Sequence, residues 1–226
     1  MKMPEPDKEV LKRRHQIIVD LKSIISRNLS GDLLSGTVID DDISLKAYEC
    51  DGLSAYCQRP MVVVLPNSTD QVSKILEYCH DNGIKVVARG SGTSLSGGAL
   101  PLEDAVILGL GKFNRILEID PERRIAWVEP GVVNLDLGRH LSGSGFHFAP
   151  DPSSQQACTI GGNVANNSGG PHCLAYGVTS AHVAAVEVVL SDGTVAVFGE
   201  EQGDAVGFDL RGAFVGGEGT LGIATR

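Results

Sequence analysis

Apolar residues in this chain follow two rhythms. At Val10, Ile17, Leu21, Ile24 and Ile25 they recur at helical spacing, with Lys12, Arg13, Arg14 and Lys22 off that face. This predicts a helix over 8–29 that packs on the main body, or lies on a membrane surface through its basic side. Residues 31–59 have no clear period and several acids, and are expected to form an irregular arm. Met61–Leu65 is then five apolar residues in a row, as in a strand buried on both faces. Pro66 stops it. Ser68-x-x-Gln71 is a capping-box pattern, Val72, Ile75, Leu76 and Cys79 keep one helical face, and Asn82-Gly83 ends the helix. Ile84–Val87 and Ala105–Leu108 read as further strands, the first closing a β-α-β unit.

Beyond residue 114 the rhythm becomes that of hairpins. Ile116–Ile119 and Arg124–Glu129 flank the turn Asp120-Pro121, and Val183–Leu190 and Thr194–Phe198 flank Asp192-Gly193. Asn134–Leu141 is a helix candidate between them. The expected fold class is α+β, with a small parallel β-α-β lobe and a larger mixed, mainly antiparallel lobe. The expected division is residues 1–55 as helix and arm, and 56–226 as the main domain.

The glycines change this picture, because 13 of the 28 fall in three windows: 89–98, 161–177 and 216–222. The first window, Arg89-Gly90-Ser91-Gly92-Thr93-Ser94, follows a strand. Glycine lets another molecule approach the backbone, and consecutive N–H groups can form an anion nest. Two readings stand for this window alone, a phosphate cradle or a flexible surface loop. A Rossmann fingerprint from Gly90 fails at Leu95, and a Walker A motif from Gly92 fails at Gly98. The second window is rich in neutral donors and acceptors, from Pro150, Asp151 and Ser153 through Gly161, Gly162, Asn166, Ser168 and Gly169. The third, Gly216–Thr225, begins in turns and ends strand-like.

Net charge of −9 argues against nucleic acid as a partner. Five cysteines, with no CxxC, read as reduced thiols in a cytoplasmic protein, and no apolar run is long enough for a transmembrane segment. None of the six histidines has zinc-motif spacing, so no metal is expected. His172 reads as a structural hydrogen-bonding residue or a group near a cofactor. Cys158 and Cys173 read as packing residues or cofactor neighbours. Arg89 reads as a phosphate partner or a brace on an acid across the loop.

Taken together, the three windows resemble the FAD-binding domain of the vanillyl-alcohol-oxidase and p-cresol-methylhydroxylase (PCMH-type) superfamily. Tyr48–Tyr56, Pro150–Ala157, Ile160–Asn163 and His172–Leu174 resemble its branch of FAD-linked 2-hydroxy-acid dehydrogenases of the glycolate oxidase type. The resemblance runs from about residue 43 to 226. It implies that Arg89, Gly90, Ser91, Gly92, Thr93 and Ser94 wrap the FAD pyrophosphate. Gly161, Gly162, Asn166, Ser168 and Gly169 would line the stretch towards the flavin, Pro150, Asp151 and Ser153 would lie near flavin or ribityl chain, and Gly217, Glu218, Gly219 and Ile223 would hold the adenosine end. A side chain at Gly92 is expected to occupy the space of the pyrophosphate. Relatives with a flavin-linked histidine carry it where this chain has Thr93, so FAD is expected to be non-covalent. The implied reaction is hydride transfer from a 2-hydroxy acid to FAD, with an iron–sulfur or other subunit as a possible electron acceptor. An assembly or FAD-binding piece without turnover is the alternative. The family's substrate groups lie in a further domain, so the catalytic residues are expected outside these 226 residues.

Overall fold

The computed structural model describes residues 3–26, 37–201 and 206–226. The N-terminal helical pattern forms two helices, α1 (Lys8–Lys12) and α2 (Arg14–Ser26), instead of one. Arg13 leaves helical geometry between them (φ −90°, ψ 3°), and Asp7 caps α1 through the N–H groups of Glu9 and Val10. Residues 27–29 of the expected helix lie outside the described residues. Val10, Ile17, Ile18, Leu21 and Ile25 are buried in one core with Val62, Val72, Val106 and Leu108. The helices therefore close the main core.

The arm is more ordered than its lack of period predicts, apart from 31–36, which lie outside the described residues. It forms β1 (Val38–Ile39), α3 (Asp42–Leu45) and a 3₁₀ turn over Lys46–Tyr48. β1 pairs antiparallel with β2 (Val62–Val64). Two residues are too few to show a period, so tertiary pairing made this strand. All of β2 is buried, as a continuous apolar run requires. Helix α4 (Thr69–Asp81) starts where the capping pattern places it. Ser68 Oγ accepts from the Gln71 N–H, but Gln71 Oε1 accepts from Asn67 N–H, one residue outside the expected reciprocal bond. Gly83 at φ 64° ends the helix.

β3 (Lys85–Arg89) and β4 (Ala105–Gly109) complete a sheet of order β1-β2-β4-β3. The last strand made occupies the middle, parallel to both β2 and β3. Every residue of β4 is buried. At about 1.5–3 kcal/mol for each large apolar side chain removed from water, this strand is the anchor of the lobe. Adjacent parallel strands need a long crossover, usually helical. Here residues 90–104 make it without a helix, so the first glycine window is the crossover.

Asp104 ties the start of β4 to β3 by an ion pair and to the segment before α1 by a hydrogen bond. Asp104, 2% exposed, accepts from Lys85 Nζ at 2.7 Å and from the Asp7 N–H at 2.8 Å. Burial raises its carboxyl pKa, but the Lys85 and Asp7 bonds outweigh this and hold it below the usual range. A lowered folded pKa adds stability at neutral pH that is lost as pH falls through that value. Asp104→Asn is expected to cost about 1–2 kcal/mol at pH 7. The deficit should begin to shrink below about pH 4, where the carboxyl of the unfolded chain protonates, and vanish only at lower pH, where the folded carboxyl also does. Urea melts at pH 7 and pH 3.5 measure both.

The second lobe begins with the hairpin β5 (Ile116–Asp120) and β6 (Ile125–Val128), then α5 (Asn134–Leu141). Helix α6 (Ile160–Asn166) lies within the second glycine window and was not expected, because its glycines mask helical propensity. Its signal was Thr159, whose Oγ1 accepts from the Gly162 N–H as a cap. α7 (Cys173–Tyr176) follows. β7 (Ala185–Val189) and β8 (Val195–Gly199) pair around Asp192-Gly193 as their turn predicts. After α8 (Leu210–Phe214), β9 (Ile223–Ala224) adds to the other edge of β7. The architecture is α+β.

Candidate cofactor site

The crossover from β3 to β4, helix α6 and the turn before β9 enclose one cleft of about 300 Å³. Each glycine window touches the other two. Ser94 Oγ donates to Asn166 Oδ1 at 2.8 Å, joining the first to the second. The N–H groups of Gly216 and Glu218 donate to the carbonyls of Val164 and Ala165, joining the third to the second. A Cβ at Gly98 would stand 2.6 Å from Glu218 Oε2, so the first and third pack directly.

Thirteen expected site residues line this cleft: Arg89, Gly90, Ser91, Gly92, Thr93, Ser94, Gly161, Gly162, Asn166, Ser168, Glu218, Gly219 and Ile223. Five stand away from its lining. Pro150 is buried, its carbonyl accepting from Asn134 Nδ2, and Ser153 is exposed. Gly169 packs on Val178 and Cys173, and Gly217 on Phe214 and Leu221. Asp151 lies in a neighbouring hollow with His147, His172 and Tyr176. Its Oδ2 is 2.5 Å from His172 Nδ1, and its Oδ1 is buried without a hydrogen-bond partner. His172 therefore makes a structural hydrogen bond. That bond holds the Asp151 carboxyl below its ordinary value.

Sequence reasoning passed over Asn163 and Thr159, both buried in the cleft wall. Asn134 Nδ2 donates to Asn163 Oδ1, and Asn163 Nδ2 to Cys158 Sγ at 3.3 Å. These bonds fix α6 against α5. Their signal was Asn163 on the inner face of a helix that the glycines concealed.

Charge is nearly absent from the cleft lining, where Arg89 and Glu218 alone carry it. Arg89 is buried beneath its own loop. Its guanidinium donates to the Ala99 carbonyl at 3.2 Å and stacks over the Tyr48 ring at 5.6 Å. Burial lowers its pKa, against the attraction of Asp51. It is thus a brace under the loop, and the acid it faces is Asp51. The expected role of Gly92 changes with this. At φ 73° its Cβ would point at the Arg89 guanidinium, 2.5 Å away, and not into the pyrophosphate space. A valine there would disturb the loop through strain and displacement of Arg89.

The loop's remaining donors are free to bind. Among the described residues, the backbone N–H groups of Ser91, Gly92, Thr93 and Ser94 have no protein acceptor. Four successive donors with flanking hydroxyls suit a phosphate or pyrophosphate. Opposite them, a Cβ on Gly162 would meet only Thr159 Oγ1, at 3.4 Å. The backbone there is bare to the cleft. These residues fit a long dinucleotide with an uncharged heterocycle.

A larger, apolar hollow of about 380 Å³ lies between the β5–β6 hairpin, α5 and β7, lined by Trp127, Leu137, Phe148 and Ile160. It shares only Pro130, Gly161, Ala224 with the glycine cleft and lacks its donor set. Among the described residues no cluster of His, Cys, Asp or Glu has metal-binding geometry, and no helix is long and apolar enough to cross a membrane.

The family model described as FAD binding domain matches residues 60–199. The chain belongs to that family. FAD is its cofactor, and the fold is the PCMH type. The glycolate oxidase subunit GlcD of Escherichia coli K12 is 50% identical over 189 residues, covering 84% of this chain and 38% of that protein. GlcD of Bacillus subtilis strain 168 is 43% identical over 188 residues, 83% of this chain and 40% of the relative. Mitochondrial D-2-hydroxyglutarate dehydrogenase of Arabidopsis thaliana is 35% identical over 190 residues, 84% and 34% of the two chains. The chain thus spans under half the length of these relatives. Among solved structures, an alkyldihydroxyacetonephosphate synthase shares the fold with TM-score 0.78 and 21% identity, covering 100% of this chain and 40% of that one. The 6-hydroxy-D-nicotine oxidase of Arthrobacter nicotinovorans gives TM-score 0.71 and 24% identity, covering 88% and 42%.

Proposed function

We propose that this chain is the FAD-holding part of an oxidoreductase acting on a 2-hydroxy acid of the glycolate or D-lactate type. The supporting observation is the junction of three glycine windows around neutral donors, in a chain half identical to a glycolate oxidase subunit. Bound there, FAD would accept hydride from the substrate's hydroxyl-bearing carbon and pass electrons to an acceptor, which an iron–sulfur or other subunit would provide. The chain's own residues bind and orient. Ser91–Ser94 hold the pyrophosphate by backbone N–H groups, α6 supplies a bare wall at Gly162, and Glu218, Gly219 and Ile223 close the adenosine end. Pro150, Asp151, Ser153, Gly169 and Gly217 shape the loops around these contacts. Thr93 stands where flavin-linked relatives carry a histidine and lacks the imidazole for that covalent bond, so FAD is held non-covalently. Residues 56–226 form the cofactor unit, with 1–55 as a packed arm, in a cytoplasmic protein.

A substrate carboxylate finds no free cation in this cleft, because Arg89 is occupied beneath the loop. This supports a second reading, in which residues 1–226 hold FAD without turnover and the substrate groups come from elsewhere. Purified protein should be yellow, with flavin absorption that denaturation releases as free FAD. Glycolate- or D-lactate-dependent reduction of an artificial acceptor separates the readings: activity supports the enzyme, and its absence in a flavin-loaded protein supports the carrier. A colourless protein that FAD does not reconstitute refutes both.

Neutral donors also set the salt response. Pairing through exposed cations weakens strongly with ionic strength, whereas buried N–H contacts do not. FAD affinity is expected to change less than about threefold between 50 mM and 500 mM salt, as read by flavin fluorescence quenching.

A further inference from the structure

The wall behind the phosphate loop is itself a loop, residues 49–58. Its ends meet, with the Gln58 N–H donating to the Glu49 carbonyl at 2.8 Å. Arg59 adds ionic contacts to Glu49 and Asp42 across the same stem. Its inside is tied by Asp51 Oδ1, which accepts from the Leu53 N–H, and by the Tyr56 N–H, which donates to the Leu53 carbonyl. Cys50 and Cys57 stand one residue inside the stem, on opposite sides. Cys50 is half-buried and Cys57 exposed, both as free thiols. The stem bond sets the two side by side, and interaction with Cys50 is the main reason the Cys57 thiol is pushed up to about 11. The other cysteines, Cys79, Cys158 and Cys173, lie in α4, in the cleft wall and in α7.

The same loop supports the cradle at three points. A Cβ on Gly52 would stand 2.6 Å from the Ser94 carbonyl oxygen and 2.7 Å from that of Thr93. Leu53 Cδ2 is 3.2 Å from the Cβ position of Gly97. Tyr48, just before the stem, lies under Arg89. Whatever tightens the stem at Cys50 and Cys57 therefore tightens the backing of Thr93, Ser94 and Gly97.

We propose that Cys50 and Cys57 form a reversible disulfide that staples this loop and stiffens the phosphate cradle, making it a thiol-oxidation site. The oxidant is a small disulfide of the oxidised-glutathione class. One protein thiolate attacks its S–S bond and releases one reagent thiolate. The second protein sulfur attacks the mixed disulfide, forms the Cys50–Cys57 bond and releases the second. The protein loses two electrons and two protons, and the reagent gains them as two thiols. Because ionisation of Cys57 is suppressed, closure is slow at neutral pH. The pair stays reduced in an ordinary reducing compartment and closes under oxidising stress. Closure stiffens the loop that backs the cradle, so FAD should also leave the oxidised protein more slowly. Only this last consequence rests on the cleft being the FAD site.

The test uses the full chain, without FAD, in oxidised and then reduced glutathione. Peptide mapping should show Cys50 joined to Cys57 with the loss of two hydrogens, reversed on reduction. Limited proteolysis within residues 91–97 should slow several-fold, and the melting temperature should rise by about 5 °C. Cys57→Ser should abolish all three changes, and Cys173→Ser should keep them. Two thiols that persist, a bond to another cysteine instead, or a 50–57 bond that leaves cleavage within 91–97 unchanged would each overturn the proposal. None of these readouts needs flavin, so failure of the same protein to take up FAD would count against the proposed function alone.

Discussion

Replacing Gly162 with leucine is expected to abolish FAD binding while leaving the fold at least as stable. Gly162 is in the first turn of α6 and lines the cleft. A Cβ there meets one protein atom within 4 Å, Thr159 Oγ1, at an ordinary 3.4 Å. Beyond that contact lies the space a dinucleotide must fill. Leucine is also a better helix former than glycine by about 0.5–1 kcal/mol. Steric exclusion should weaken FAD binding by at least about 100-fold, roughly 2.7 kcal/mol. Titration by flavin fluorescence measures the loss, and a thermal melt without FAD checks that the protein stays folded. Gly162→Ala, with one methyl group, should bind more weakly than wild type and more tightly than the leucine variant. Unchanged affinity in the leucine variant would remove α6 from the cofactor site.

The neighbouring glycine should behave in the opposite way. A Cβ on Gly161 would fall 2.5 Å from Pro130 Cβ, 3.0 Å from its carbonyl oxygen and 3.1 Å from its Cα. Pro130 is rigid, and its carbonyl accepts from the Gly161 N–H at 2.8 Å. Neither side yields without moving backbone. Gly131, the next residue, is wedged under the carbonyls of Leu110 and Phe113, where its own Cβ would meet them at 2.4 Å and 2.7 Å. Pro130-Gly131 is thus the point at which the chain leaving the β5–β6 hairpin packs against the segment that follows β4. Gly161→Ala is expected to cost about 2 kcal/mol after its helix-propensity gain. For a domain this size that lowers the melting temperature by about 4–8 °C. Apo-protein melts of Gly161→Ala and Gly162→Ala side by side make the comparison. Equal melting temperatures would contradict the packing of α6 on Pro130.

Regular patterns carried much of this fold in plain sight. The apolar run of β2, the capped face of α4 and the Asp-Gly hairpin of β7 and β8 all follow from period and turn chemistry. The elements that stayed hidden depend on contacts distant in sequence. β1 is a strand only because it meets β2, and α6 is a helix whose two glycines argue against it. The break at Arg13 likewise leaves no mark on the apolar spacing. The site shows the same division. Clustering marked three windows that the fold brings to one cleft, but the direction of each glycine was not readable. Gly92 faces its own Arg89, Gly161 faces Pro130, and Gly162 faces open space. The notion that glycines serve the ligand's approach fits the last alone; the others let protein segments touch one another.

The central position of β4 sets an order of events for the nascent chain. β2 and β3 are the earlier strands, yet β2 has only the two-residue β1 beside it, and β3 has no sheet partner, until β4 is made. A ribosome-bound chain that has just emitted Gly98 carries two flanks and no middle. Its apolar strands must wait, exposed to aggregation, until residues 105–109 slide between them. Insertion of that strand also pulls residues 90–104 taut, since they link β3 to β4. The cradle is therefore born at the moment the first sheet closes. Flavin added to partly synthesised chains should find no binder shorter than this point, and slowing translation just before β4 should lower the yield of folded protein.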